Sequence, residues 1–278
     1  MAAPRTERLT KWLIAGPPLV FLLAFFLLPS LIMALASLRY PGEFGGLAPL
    51  AARAGEEAGL TFENYALFFS DWIYAQIFAK SVGIAALTTL ACLVMAYPLA
   101  MLIARSPKRR RDFMVLLVIL PFASNFLVRV YAWMIILGPL DLLFSRFAVI
   151  VGMVYVHLPF MILPLYTNLE KHDPALLDAA QDLGANAWHT FWRVTFPLSL
   201  PGVFSGAALV FIPVLGMFAV PELLGGKDDW MVGNMIKESF LGTRDWPFGS
   251  MLSIMLTLAV LALAAAAALL ARKGAPGA

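Results

Sequence analysis

The chain has 278 residues, 61% of them hydrophobic and 13% charged, with a mean hydropathy of +0.83 and a formal net charge of +3. So apolar a composition excludes an ordinary soluble domain, and its continuous rather than alternating apolar runs exclude a transmembrane barrel. The single cysteine, Cys92, excludes a disulfide within the chain and makes no metal site; it reads as a small packing residue.

Six apolar blocks lie near 12–38, 76–104, 113–137, 147–169, 203–221 and 248–271, each close to or above the roughly 20 residues that span a bilayer as helix. They predict an all-α polytopic membrane protein with six transmembrane helices in a single domain, 1–278. The first block follows Arg5, Arg8 and Lys11 and contains Ala34-Leu35-Ala36, which looks like a cleavage site. The run from Trp12 to Leu38 is longer than a signal peptide's apolar region, so it is expected to stay as the first span. A periplasmic loop follows at about 39–75.

Lys80 and Arg129 lie within or near spans, where ionisable groups are costly and usually paired or functional. Lys80 sits near a helix end and is expected to snorkel; Arg129 is deeper and is expected to pair with a carbonyl or carboxylate. Pro98, Pro121, Pro159 and Pro164 are candidate kinks. Pro213, Gly216 and Pro221 interrupt the fifth block, and a broken helix at membrane depth needs protein or water around it, so this block is expected to line a cavity.

With six spans, both termini fall on one side. That side carries twelve basic residues, among them Arg105 and the run Lys108–Arg111; the other carries six, with eleven acidic residues. The positive-inside rule puts the basic side and both termini in the cytoplasm. The acidic outer loops fit ordinary loop solvation together with the topology bias; the other reading is a field that attracts a cation or a basic docking partner.

Between the fourth and fifth blocks lies a polar, capped segment, about 170–202, on the cytoplasmic side. Asp173-Pro174 is a strong helix start. Residues 174–183 place Leu176, Leu177, Ala180 and Leu183 on one face, with Asp178 and Asp182 on the other. Gly184 ends that helix, because glycine takes a left-handed backbone at no cost. Asn186 can cap a second short helix bearing Trp188, Phe191 and Trp192 on one side, and Pro197 and Pro201 are expected to break the chain before the fifth span. By pattern alone this is either an interfacial amphipathic segment or a knob that docks in a partner's groove.

The spacing Asp178-Ala179-Ala180, Gly184, nine residues, Val194-Thr195-Phe196-Pro197 resembles the EAA loop of ABC-importer permeases, with Asp178 for Glu, Val194 for Ile and Phe196 for Leu. Asn125–Trp133, Pro221–Gly226 and Asp245–Ser250 are similar to segments of the spermidine/putrescine permease family, and permeases for opines, thiamine or ferric iron share parts of them. The resemblance implies a type I (MetI-like) importer fold. It implies a homologous second permease, a cytoplasmic ATPase dimer and a periplasmic substrate-binding protein as partners, with membrane lipid around the spans and no nucleic acid. Asp178, Ala179, Ala180, Asp182, Gly184, Trp188 and Pro197 would then couple to the ATPase.

A polyamine path needs carboxylates and aromatic faces; Glu222, Asp141, Tyr131 and Trp133 are the candidates. The chain carries no phosphate-binding loop, HExxH helix or G-x-S-x-G turn, so it is expected to be non-catalytic, with no cofactor and no metal. A proton- or sodium-coupled carrier would need acidic residues inside the spans, and the acids fall in loops or at helix ends.

Overall fold

The computed structural model describes the backbone of residues 5–50 and 59–274, and the side chains of residues 13–50 and 59–265. Arg53, Glu56 and Glu57 of the outer loop, and the side chains of Arg5, Arg8, Lys11, Arg272 and Lys273, lie outside the described residues. Among the described residues the chain is helical, with two isolated β-bridges, Arg39 to Leu60 and Pro41 to Leu47. Helix α1 (Arg5–Leu22) runs through a π turn (Leu23–Leu27) into α2 (Leu28–Ala36). Then come α3 (Glu63–Ser70), α4 (Trp72–Ala104), α5 (Lys108–Ile119), α6 (Phe126–Leu137) and α7 (Arg146–Leu169). They are followed by α8 (Pro174–Asp182), α9 (Ala187–Thr190), α10 (Phe196–Leu215), α11 (Ala219–Leu224), α12 (Val232–Lys237) and α13 (Trp246–Gly274).

Among the described residues five stretches are long and apolar enough to cross a membrane: Leu13–Ala36, Trp72–Ala104, Arg146–Leu169, Ala187–Leu215 and Trp246–Ala265. The sixth, taken as one span, is a pair of segments, Lys108–Ala123 and Phe126–Leu140, bent by 92°. Pro121 stands in the 3-10 turn that closes the first segment, Ser124 is extended, and Asn125 Oδ1 accepts the Leu127 N–H at 2.8 Å to start the second. A proline followed by a fresh cap ends one helix and begins another.

The chain forms two compact units, residues 76–234 and the combination of 1–75 with 235–278. In the terminal unit α13 packs along α2 and touches α3. Ser37 Oγ and the Tyr65 hydroxyl are 2.8 Å apart, and Asn64 Nδ2 donates to the Ser37 and Arg39 carbonyls at 3.2 Å, so the segment leaving α2 is sewn to α3.

The central unit is built on α7 against α10. Two glycines of α10 make the approach close: a Cβ at Gly202 would lie 2.8 Å from Asn168 Cβ, and one at Gly206 would lie 2.7 Å from Met161 Sδ. In lipid, where apolar side chains gain little by leaving the solvent, such small residues allow the close packing that holds helices together. Cys92 is fully buried with its Sγ 3.8 Å from the Val154 carbonyl, a packing residue.

The fifth span differs from its predicted form at both ends. The expected break at Pro197 and Pro201 is absent: helix continues from Ala187 to Leu215 through a π turn at Phe191–Thr195. The Phe196 N–H closes that wide turn on the Phe191 carbonyl, and the extra residue absorbs the ring that would otherwise clash with the preceding turn. At the other end Pro213 stays inside α10, while Gly216 caps it and Pro221 lies buried in α11. The Phe218 carbonyl, which already accepts the Glu222 N–H at 3.1 Å to start α11, also accepts Asn234 Nδ2 at 3.0 Å, so protein groups satisfy the backbone at the break, as a broken helix at membrane depth requires.

Candidate functional site

The segment 170–202 starts as its sequence predicts. Asp173 Oδ1 accepts the Ala175 N–H at 2.9 Å, with Pro174 at the first helical position. The helix ends in a Schellman motif: the Gly184 N–H donates to the Gln181 carbonyl at 2.8 Å and the Ala185 N–H to the Ala180 carbonyl at 3.0 Å. Gly184 has φ +81°, and a Cβ there would meet nothing within 4 Å. Backbone conformation, not crowding, is what demands glycine. Asn186 Oδ1 then accepts the His189 N–H at 2.9 Å and starts α9.

The single apolar face expected for α8 is divided. Leu177 and Ala180 are half-buried against their own chain, whereas Leu176 is exposed and Leu183 is 89% exposed. The aromatics divide likewise. Phe191 turns inward, its ring 5.4 Å from that of Tyr97 on α4 and 6.1 Å from Phe196, while Trp188 stays 68% exposed beside Trp192. Asp178, Ala179 and Asp182 are exposed as well. The segment thus presents Leu183, Trp188 and two carboxylates outward, uncovered by the chain itself.

Beneath α8 are two adjoining cavities of about 630 and 550 Å³, both reached by Met101, Arg105, Leu177, Gln181 and Thr195. The helix is therefore undercut, with Leu177 of its inner face lining both cavities. At the α7 side, Glu170 is paired with Arg111 at 2.6 Å. His172 Nε2 donates to the Leu198 carbonyl at 3.2 Å, which assigns that ring nitrogen the proton. At the α10 side, the hydroxyls of Tyr97 and Ser199 are 2.7 Å apart.

The residues singled out for a membrane path lie around α6 and α11, and α11 packs against both α6 and α7. Glu222 is exposed in the first turn of α11, just beyond the Gly216 break. Tyr131 is 48% exposed on α6. Trp133 is half-buried and packs edge-on against Tyr155 of α7 at 5.6 Å, so Tyr155 joins the aromatic wall. Asp141 is exposed in the loop after α6 with φ +54°. Arg129 departs from expectation: its guanidinium lies over the face of Phe122 at 5.7 Å, and its buried Nε has no hydrogen-bond partner. The 92° bend brings the aromatic face to it.

Asp229, one of the eleven acids on the less basic side, is buried. Its Oδ1 meets Arg146 Nε at 3.3 Å and its Oδ2 accepts the Gly226 N–H at 3.1 Å. Lys80 Nζ does not merely snorkel; it donates to the neighbouring Asp228 carbonyl at 2.6 Å. These bonds pin the loop after α11 to α4 and α7. The signal in sequence is faint: the Gly-Gly pair before Asp228-Asp229 marks a turn, but not which acid turns inward. Among the described residues no three His, Cys, Asp or Glu side chains group as metal ligands.

Residues 96–276 match the family of binding-protein-dependent transport system inner membrane components. The spermidine/putrescine transport system permease protein PotB of Haemophilus influenzae is 43% identical over 216 residues, covering 72% of this chain and 75% of that protein. PotB of Escherichia coli K12 is 41% identical over 215 residues, covering 71% and 78%. The fold is also that of a solved chain from a bacterial ABC transporter involved in the import of the acidic polysaccharide alginate, with a TM-score of 0.67 over 98% of this chain and 99% of that one at 16% identity. Tyr97, the 170–202 segment and the interrupted fifth helix all fall inside the matched residues 96–276, and the chain belongs to the family of binding-protein-dependent transport system inner membrane components, among its PotB-type permeases.

Proposed function

We propose that this inner-membrane permease imports polyamines, as the subunit of an ATP-driven complex that contains a homologous second permease, a cytoplasmic ATPase pair and a periplasmic binding protein. The substrate class is supported by the 41–43% identity to spermidine/putrescine permeases. The coupling role rests on one observation above others: a segment fixed by caps at both of its helices leaves Leu183 and Trp188 uncovered. An exposed aliphatic and an exposed aromatic at fixed spacing are what a groove in a partner would bind. Both termini and this segment are assigned to the cytoplasm, on the side of the twelve cations. ATP hydrolysis belongs to the partner, and this chain supplies the path.

Along that path Glu222 and Asp141 would neutralise ammonium groups, and Tyr131 and Trp133 would offer ring faces. Uptake of radiolabelled putrescine and spermidine in cells lacking other polyamine carriers tests the reading. Uptake that vanishes on deletion and returns with the wild-type chain supports it; uptake unchanged by deletion discards the polyamine assignment and turns the search to opines, thiamine and iron. Glu222→Gln is expected to weaken uptake with assembly intact, and unaltered uptake kinetics would remove Glu222 from the path.

A further inference from the structure

Four consecutive cations open α5, and they do not behave alike. Lys108, Arg109 and Arg110 are exposed, whereas the Arg111 side chain is only 23% exposed. One of its terminal nitrogens stands 2.6 Å from Glu170 Oε1. Glu170 caps α7 and precedes by three residues the Asp173 that starts α8. The pair therefore joins α5 to the root of the coupling segment, although α5 has no chain connection to it.

The rest of the guanidinium is loosely held. Arg111 Nε is buried without a hydrogen-bond partner, and the nearest other carboxylate oxygen, Asp112 Oδ1, is 3.8 Å from it. A bidentate pair would lock both helices in one geometry. A single bond with a second acceptor close by keeps two helices linked while allowing them to turn. At its far end α5 leads through the 92° bend into α6, which carries Arg129, Tyr131 and Trp133.

We propose that the Arg111–Glu170 pair is the joint through which displacement of α8 reaches α5 and the bent third span, with both residues acting as positioning residues for ATP-coupled transport. This rests on the coupling role assigned above. Covalently α8 is joined to α7 and α9, and it packs on the π turn at Phe191–Thr195; none of these adjoins α5 in the chain. α5 also packs on α7, and the ion pair adds a directional contact at the end of that packing. A half-buried ion pair resists separation, because parting its charges leaves each one poorly solvated.

The test uses the full complex in lipid nanodiscs, with substrate moved per ATP hydrolysed as the readout. Arg111→Gln and Glu170→Gln should leave co-purification with the ATPase and ATP turnover near wild type. Transport per ATP should fall by at least about fivefold, the lower end of coupling between linked sites. The charge-exchanged double variant, Arg111→Glu with Glu170→Arg, should recover most of the ratio. A ratio unchanged in both single variants overturns the proposal. So does loss of ATPase association in step with transport, or a double variant no better than the singles. A wild-type complex that hydrolyses no ATP overturns the coupling role itself and the joint with it.

Discussion

Ser199 Oγ donates to the Phe196 carbonyl at 2.8 Å, so its proton is committed and it is Tyr97 that donates to Ser199 at 2.7 Å. This bond, between residues 102 apart in sequence, fixes α4 against the start of α10, where the 170–202 segment joins the fifth span. The Tyr97 ring completes the contact by packing on Phe191 and Phe196, at 5.4 and 6.0 Å.

The donor assignment predicts an asymmetry. Tyr97→Phe leaves Ser199 bonded to Phe196 and should cost only about 1 kcal/mol. Ser199→Ala strands the hydroxyl of Tyr97, which is 8% exposed, and should cost more, about 1–3 kcal/mol. Melting of the purified complex ranks the two; a Tyr97→Phe variant less stable than Ser199→Ala would reverse the donor.

At Gly184 the open space and φ of +81° make different demands on a substituent. Asparagine visits the left-handed region readily, alanine pays about 1–2 kcal/mol, and a β-branched residue pays more. Transport should therefore fall in the order Gly184→Asn, Gly184→Ala, Gly184→Val, although asparagine is far larger than alanine. A loss that tracked side-chain volume instead would restore crowding as the cause.

Leu183→Ala and Trp188→Ala remove side chains that touch little of their own chain. The permease should melt at an unchanged temperature. Its affinity for the ATPase should drop by about 30-fold or more for at least one of them, the loss expected of a buried interface anchor worth about 2 kcal/mol. Wild-type affinity in both variants would place the ATPase contact elsewhere.

The latch after α11 separates a buried acid from an exposed base: the Asp229 side chain is 8% exposed and that of Arg146 is 60% exposed. Arg146→Ala leaves a buried carboxylate without its cation, at a cost of about 1–3 kcal/mol, but keeps its bond to the Gly226 N–H and so the turn. Asp229→Ala also deprives the Gly226 N–H of its acceptor and should loosen the loop. Hydrogen exchange across residues 225–231 should rise for Asp229→Ala well above Arg146→Ala; equal protection in both would mean the carboxylate does not hold the turn.

What could be read along the chain was whatever depends on residues within about four positions. The helix starts at Asp173 and Asn186 and the stop at Gly184 follow from which backbone groups lack partners at a helix end and which side chain next to them can supply one. The span count follows from length and hydropathy alone. Tertiary structure decided the rest, because the deciding partner lies far away in sequence. Nothing near Phe191 says that it, rather than Trp188, turns inward; Tyr97 does. Nothing near Asp229 says that it is buried while Asp228 is not; Arg146, from a different helix, reaches its carboxylate. Pro197 reads as a helix breaker until a π turn gives its ring room, and Pro121 reads as a mere kink until Asn125 restarts the helix in another direction. The chain's own letters determine where helices can begin and end; packing determines which faces they spend on one another and which they leave open for a partner.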